Sequence, residues 1–142
     1  MTMSENFKIL STFIKDMSSE TPNIETYLFV KEYISKYHLN IDITSKALKE
    51  KLIEVSTTLK FQDKENSEKK SYFEIIFATI VKIDDTVKDK KDLEKIILCD
   101  VQNKIYPDLE KAFLNLLSDS GYKGIKFEKK IDFEALYSQK SS

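Results

Sequence analysis

Ser71-Tyr-Phe-Glu-Ile-Ile-Phe-Ala-Thr-Ile-Val-Lys-Ile83 decides how the chain is read. At a period of two, Phe73, Ile75, Phe77, Thr79, Val81 and Ile83 fall on one face, and Tyr72, Glu74, Ile76, Ala78 and Ile80 on the other. The stretch reads as a strand with two largely apolar faces. An edge strand of a small monomeric sheet, with one face in water, does not carry that pattern. The expectation is that helices cover one face and that a second subunit or a ligand covers the other.

Working upstream, Asp63-Lys-Glu-Asn-Ser-Glu-Lys-Lys70 is a charged turn. Before it, Ile53, Val55, Thr57, Leu59 and Phe61 alternate with polar neighbours, as do Leu39, Ile41 and Ile43. Lys46 to Leu52, between the two, has helical composition. Phe7 to Met17 is apolar and β-prone without a helical period and reads as a first strand, broken by Ser19-Glu-Thr-Pro-Asn23. Ile24 to Tyr37 holds Tyr27, Phe29, Tyr33 and Tyr37 and fits neither period; it reads as a long packed loop or a short helix.

Downstream, Asp84-Asp85 and Asp89-Lys-Lys-Asp92 read as a solvated connection. Leu93, Ile96, Ile97 and Val101 have helical spacing; Pro107 interrupts it, and Leu109, Ala112, Phe113, Leu116 and Leu117 resume it. Gly121 and Gly124 end that helix. A last short helix follows, with Asp132 near its N-cap. Strands first and helices last give an α+β fold with helices on one face of an antiparallel sheet. The stripe on the long helix, added to the doubly apolar strand, is more than a monomer of this length covers alone.

Composition narrows the function. The chain has 142 residues, 23 basic and 24 acidic, for a net charge of −1. Every basic residue is Lys. Arg is the preferred bidentate reader of phosphate and guanine, so its absence argues against a nucleic-acid partner. One Cys and one His leave little for catalysis or metal binding: Cys99 reads as a small buried hydrophobe, and His38 has no ligand neighbour in sequence. Apolar runs are too short to span a membrane, and Met1 to Asn6 does not look like a secretory signal. The expectation is a cytoplasmic protein of one domain, 1–142, with no enzyme activity, cofactor, metal or membrane insertion.

Five segments, in order, carry a resemblance. They are Phe13-Ile-Lys-Asp-Met-Ser-Ser-Glu-Thr-Pro-Asn23, Phe29-Val-Lys-Glu-Tyr33, Leu39-Asn-Ile-Asp-Ile43, Asn103-Lys-Ile-Tyr-Pro107 and Ile131-Asp-Phe-Glu-Ala-Leu-Tyr137. Together they resemble SecB, the bacterial protein-export chaperone family, over nearly the whole chain. The resemblance implies a four-stranded antiparallel sheet with helices on one side, and a homotetramer built as a dimer of dimers. It implies a holdase that keeps preproteins unfolded and passes them to the translocase motor SecA. It places Tyr27, Phe29 and Tyr33, with Leu39 and Ile41, beside a client groove. It also places Asp16, Glu20, Tyr72 and Glu74 on an outer sheet face that meets SecA. The chain departs from the family in being near neutral rather than acidic, in having Lys123-Gly124 where two prolines are common, and in lacking a long tail after Tyr137. The alternatives are a SecB-like chaperone dedicated to one partner such as an antitoxin, a small α+β enzyme, and a subunit whose apolar sheet face holds one partner permanently.

Overall fold

The computed structural model describes residues 6–65, 67–127 and 130–141. The readings placed on Met1 to Glu5 and on the end of the tail at Ser142 fall outside them. The elements run β1 (Phe7–Glu20), α1 (Ile24–Tyr33) with a 3-10 turn at Ile34–Lys36, β2 (Tyr37–Ala47), β3 (Leu52–Asp63) and β4 (Tyr72–Ile83). Then come α2 (Lys90–Lys95), a π-turn at Ile96–Asp100, α3 (Val101–Asp119) and α4 (Phe133–Ser141). The strands form one antiparallel sheet in the order β1-β4-β3-β2. This is the expected α+β fold, strands before long helices.

β4 is an inner strand, which accounts for its two apolar faces. Phe73, Ile75, Phe77, Val81 and Ile83 join the core beneath the helices. On the outer face Ala78 is buried and Ile76 and Ile80 are half-buried, with Phe13 of β1 directly opposite Ala78. Neighbouring strands therefore supply part of the cover expected from a second subunit.

The first strand runs further than its composition indicates, through Ser18 and Ser19 to Glu20. Its register against β4 slips between Ile9 and Ser11 and again between Ile14 and Asp16. Each bulge adds one residue to β1 and inverts the alternation beyond it, so no period of two is visible in the sequence. Lys46 to Leu52, helical in composition, is instead the end of β2 and a tight hairpin turn. Leu48 N–H donates to the Leu52 carbonyl at 2.8 Å, and Glu50 and Lys51 sit at φ 58° and 63°. The strands on either side must reverse within these few residues, and their pairing overrides helix propensity.

α1 settles the open reading of the aromatic stretch in favour of a helix. Asn23 caps it, its Oδ1 accepting from Thr26 N–H at 2.9 Å. Val30 and Ile34 anchor it in the core. Pro107 does not interrupt the long helix: α3 passes through it. Pro107 and Asn103 are both exposed, so the carbonyl that loses its helical partner is left to water. Val101, Ile105, Leu109, Phe113 and Leu117 are buried at a strict spacing of four. That line drifts about 40° around the helix at each step, which lets α3 follow a twisted sheet. The stripe expected to need a second subunit is thus largely covered by the chain's own sheet.

α3 ends as Gly121 requires. Tyr122 N–H donates to Leu117 O at 2.9 Å and Gly121 N–H to Ser118 O at 3.1 Å, a Schellman arrangement with Gly121 at φ +101°. A Cβ at Gly121 would lie 2.8 Å from Cε1 of Tyr27. Gly121→Ala is expected to cost about 2 kcal/mol, combining left-handed strain with displacement of the Tyr27 ring. Urea unfolding of the two proteins at equal concentration checks this; an unchanged midpoint would contradict it.

Candidate functional site

Two surfaces stand out, on opposite sides of the sheet. On the outer face, Glu20 pairs directly with Tyr72, Ser18 with Glu74 and Asp16 with Ile76. Partners in an antiparallel ladder share a face, so Asp16, Glu20, Tyr72 and Glu74, widely separated in sequence, meet at one corner. The Tyr72 hydroxyl reports on the cluster. Burial, a hydrogen bond to Glu74, and the charges of Glu74, Glu20 and Asp16 push its pKa up to about 12. Lys60 offers partial compensation, its Nζ 3.6 Å from Glu74 Oε2. The corner is an aromatic ring rimmed by carboxylates.

The second surface lies on the helix side, and here the expected residues separate. Phe29 and Tyr33 stack, their ring centroids 4.6 Å apart. Tyr33 is 40% exposed, with Lys36 Nζ 5.4 Å above its ring. Tyr27 lies two residues from Phe29, hence on the opposite side of α1. Its ring packs 5.3 Å from Tyr122 and its hydroxyl donates to Gly121 O at 2.9 Å, so it ties α1 to the end of α3. Leu39 and Ile41 lie on β2 opposite Phe61 and Leu59, on the core face of an edge strand, and stay half-buried.

Other exposed apolar side chains escaped the sequence reading. Ile24 (66% exposed) and Leu28 (56%) stand one turn apart on α1. Their i, i+4 spacing is a signal that only becomes legible once the stretch is known to be helical. Leu10, Phe13, Ile14 and Met17 are exposed along β1, which is also an edge strand. The two bulges hid their distribution over both faces.

Cys99 is buried, with Asn103 Nδ2 donating to its Sγ at 3.6 Å, and its thiol pKa is raised by that burial and by Asp100 and Glu134. Among the described residues no group of three or more His, Cys, Asp or Glu is placed to hold a metal ion. No described helix is long and apolar enough to cross a membrane.

Comparison with known proteins gives the family. Residues 2–142 match the family described as SecB, preprotein translocase subunit SecB. The chain belongs to the SecB family. It is 64% identical over 140 residues to a Pelagibacter ubique protein that carries the name SecB, covering 99% of this chain and 100% of that one. It is 27% identical over 138 residues to the protein-export protein SecB of Alkalilimnicola ehrlichii, covering 96% and 70%. Among solved structures it resembles a Mycobacterium tuberculosis SecB-like chaperone in complex with a ChAD peptide from an antitoxin. There the TM-score is 0.60 at 12% identity, over 88% of this chain and 91% of that one, a likeness of fold. Family membership makes this a chaperone of the protein-export family, and the fold agrees.

The carboxylates around Tyr72 generate a prediction. In the folded protein Tyr72 holds its proton above the ordinary tyrosine value, so folding binds the proton more tightly there than the unfolded chain does. Stability from this site is intact below about pH 10 and is lost as pH rises towards 12. Glu74→Gln should lower the Tyr72 midpoint. Ultraviolet phenolate titration, with Tyr72→Phe identifying the signal, checks it; an unmoved midpoint would show that Glu74 does not act on the hydroxyl.

Proposed function

We propose that the chain is a cytoplasmic holdase that binds unfolded preproteins and delivers them to SecA, with no catalytic step. One observation carries this reading: uncovered apolar side chains and clustered carboxylates lie on opposite sides of the same sheet. Ile24, Leu28, Tyr33, Leu39 and Ile41 offer apolar surface of the kind unfolded chains share. Burying one client side chain there yields roughly 1.5–3 kcal/mol at most, so a single contact is weak and several along one client are needed. The carboxylate corner is the surface for SecA: opposite charge accelerates encounter, and its effect falls with salt.

Titrating an unfolded, reduced preprotein and, separately, SecA against two variants tests both halves. Tyr33→Ala should weaken client binding by about 1–2 kcal/mol per engaged site, leave circular dichroism unchanged and spare SecA affinity. Glu74→Lys should do the reverse, with its loss of SecA affinity greatest at low salt. Equal SecA affinity for Glu74→Lys and the unaltered protein would remove the corner from the interface. Global unfolding of Tyr33→Ala would make Tyr33 a core residue.

The same reading includes a homotetramer, a dimer of dimers. Its support is the edge strand β1, 14 residues long with Leu10, Phe13, Ile14 and Met17 exposed. A bare apolar edge of that length favours pairing with a second copy. Light scattering at micromolar concentration should give four times the chain mass. A persistent monomer would overturn the assembly, and a stable dimer would confine association to one interface.

A further inference from the structure

Lys60 stands on the outer face of the sheet between two carboxylates. Cross-strand pairing sets it directly opposite Glu74 of β4 on one side and Asn40 of β2 on the other. Asp42 lies two residues beyond Asn40 on the same face, opposite Thr58. Such a diagonal neighbour is about 7–8 Å away, within reach of a long side chain. Asn40, Asp42, Thr58, Lys60, Glu74 and Ile76 line an open cavity of about 400 Å³, which leaves the Lys60 ammonium room to move between the two acids.

The present pairing is loose. Lys60 Nζ lies 3.6 Å from Glu74 Oε2, beyond hydrogen-bond length. On the same face Lys15 Nζ reaches Glu54 Oε2 at 2.6 Å. Among the described residues Asp42 takes part in no ion pair. Glu74 is more enclosed: the Tyr72 hydroxyl donates to it, and its side chain is 16% exposed. A cation arriving from outside competes with Lys60 for that carboxylate.

We infer that Lys60 is the internal counter-ion that a docking partner displaces from Glu74, and that Asp42 receives it. In the free chain Lys60 partly neutralises Glu74. When a Lys or Arg of SecA binds Glu74, the Lys60 side chain swings across the cavity to Asp42. Without Asp42 the displaced ammonium would stay beside the partner's cation, and like charges at that range oppose docking. This role rests on the reading of the carboxylate corner as the surface for SecA and adds to it a residue that sets the affinity.

SecA titrations at low and at physiological salt test it. Lys60→Met keeps an unbranched stem without the charge. It should tighten SecA binding about threefold at low salt, within the usual range for an exposed ion pair, and the gain should shrink as salt rises. Lys60→Arg, which keeps the pair, should bind no more tightly than the unaltered protein. Asp42→Asn should weaken binding by a similar factor, but only where Lys60 is present; in the Lys60→Met background it should have little effect. That non-additivity separates displacement from steering, in which each charge acts alone. Equal weakening by Asp42→Asn in both backgrounds would overturn the inference. So would unchanged or weaker binding by Lys60→Met while Glu74→Lys still loses affinity. Full SecA affinity in Glu74→Lys would overturn the corner itself, and the role of Lys60 with it.

Discussion

One helix covers about two strands, and the rest of the molecule follows from that limit. An α-helix with its side chains is about 10 Å across, while strands lie about 4.8 Å apart. α3 lies closest to β4 and β1. The remaining cover comes from smaller pieces: Val30 in α1 and Ile34 just after it, and Tyr122 and Phe127, whose rings meet Phe73 and Phe61. Burial is complete at Phe73, Ile75, Leu59 and Val55 in the two inner strands. It fails at the edges, leaving Leu39, Ile41 and Ile43 half-buried on β2 and Ile14 and Met17 exposed on the core face of β1. The surfaces available for apolar partners are where the cover runs out.

α3 is held against the sheet by a polar contact to β3 as well as by its apolar line. Gln102, fully buried, donates from Nε2 to Ile97 O at 3.1 Å and accepts at Oε1 from Thr57 Oγ1 at 2.9 Å. The Ile97 carbonyl belongs to the π-turn, where one extra residue disturbs the regular ladder. The side-chain amide satisfies that carbonyl and reaches β3 in the same arrangement. Buried polar groups joined in this way fix a relative position that apolar packing alone leaves freer to slide.

The sequence exposed whatever obeyed a single period. β3 and β4 are paired on both sides and keep strict alternation, so Phe73 and Phe61 could each be assigned to a strand face directly. The acidic corner was legible for the same reason in part: Tyr72 and Glu74 share a face by parity. Asp16 and Glu20 join them only through the register of β1, which its bulges set and no local pattern reveals. α1 was ambiguous because its apolar residues point both ways, Val30 inward and Ile24 and Leu28 outward. Tyr27 looked equivalent to Phe29 as one aromatic among several, but the two-residue offset on a helix turns it towards Gly121. The hairpin at Leu48–Lys51 was obscured by good helix formers.

Charge is clustered locally, which the near-zero net value conceals. The carboxylates of Asp16, Glu20 and Glu74 gather at the Tyr72 end of β4, while Lys8 and Lys82 face one another at the Ile83 end, beside Asp84 and Asp85. Glu74 and Lys82 are eight residues apart on β4, roughly 26 Å at strand spacing. The screening length at physiological salt is about 8 Å. A partner seated at one end is therefore almost blind to the charge at the other. With 23 basic and 24 acidic residues the whole molecule exerts little distant field, so recognition depends on which residues the strand registers bring to each end. A substitution that conserves net charge but moves it from one end of β4 to the other changes both surfaces, although a charge count would show no difference.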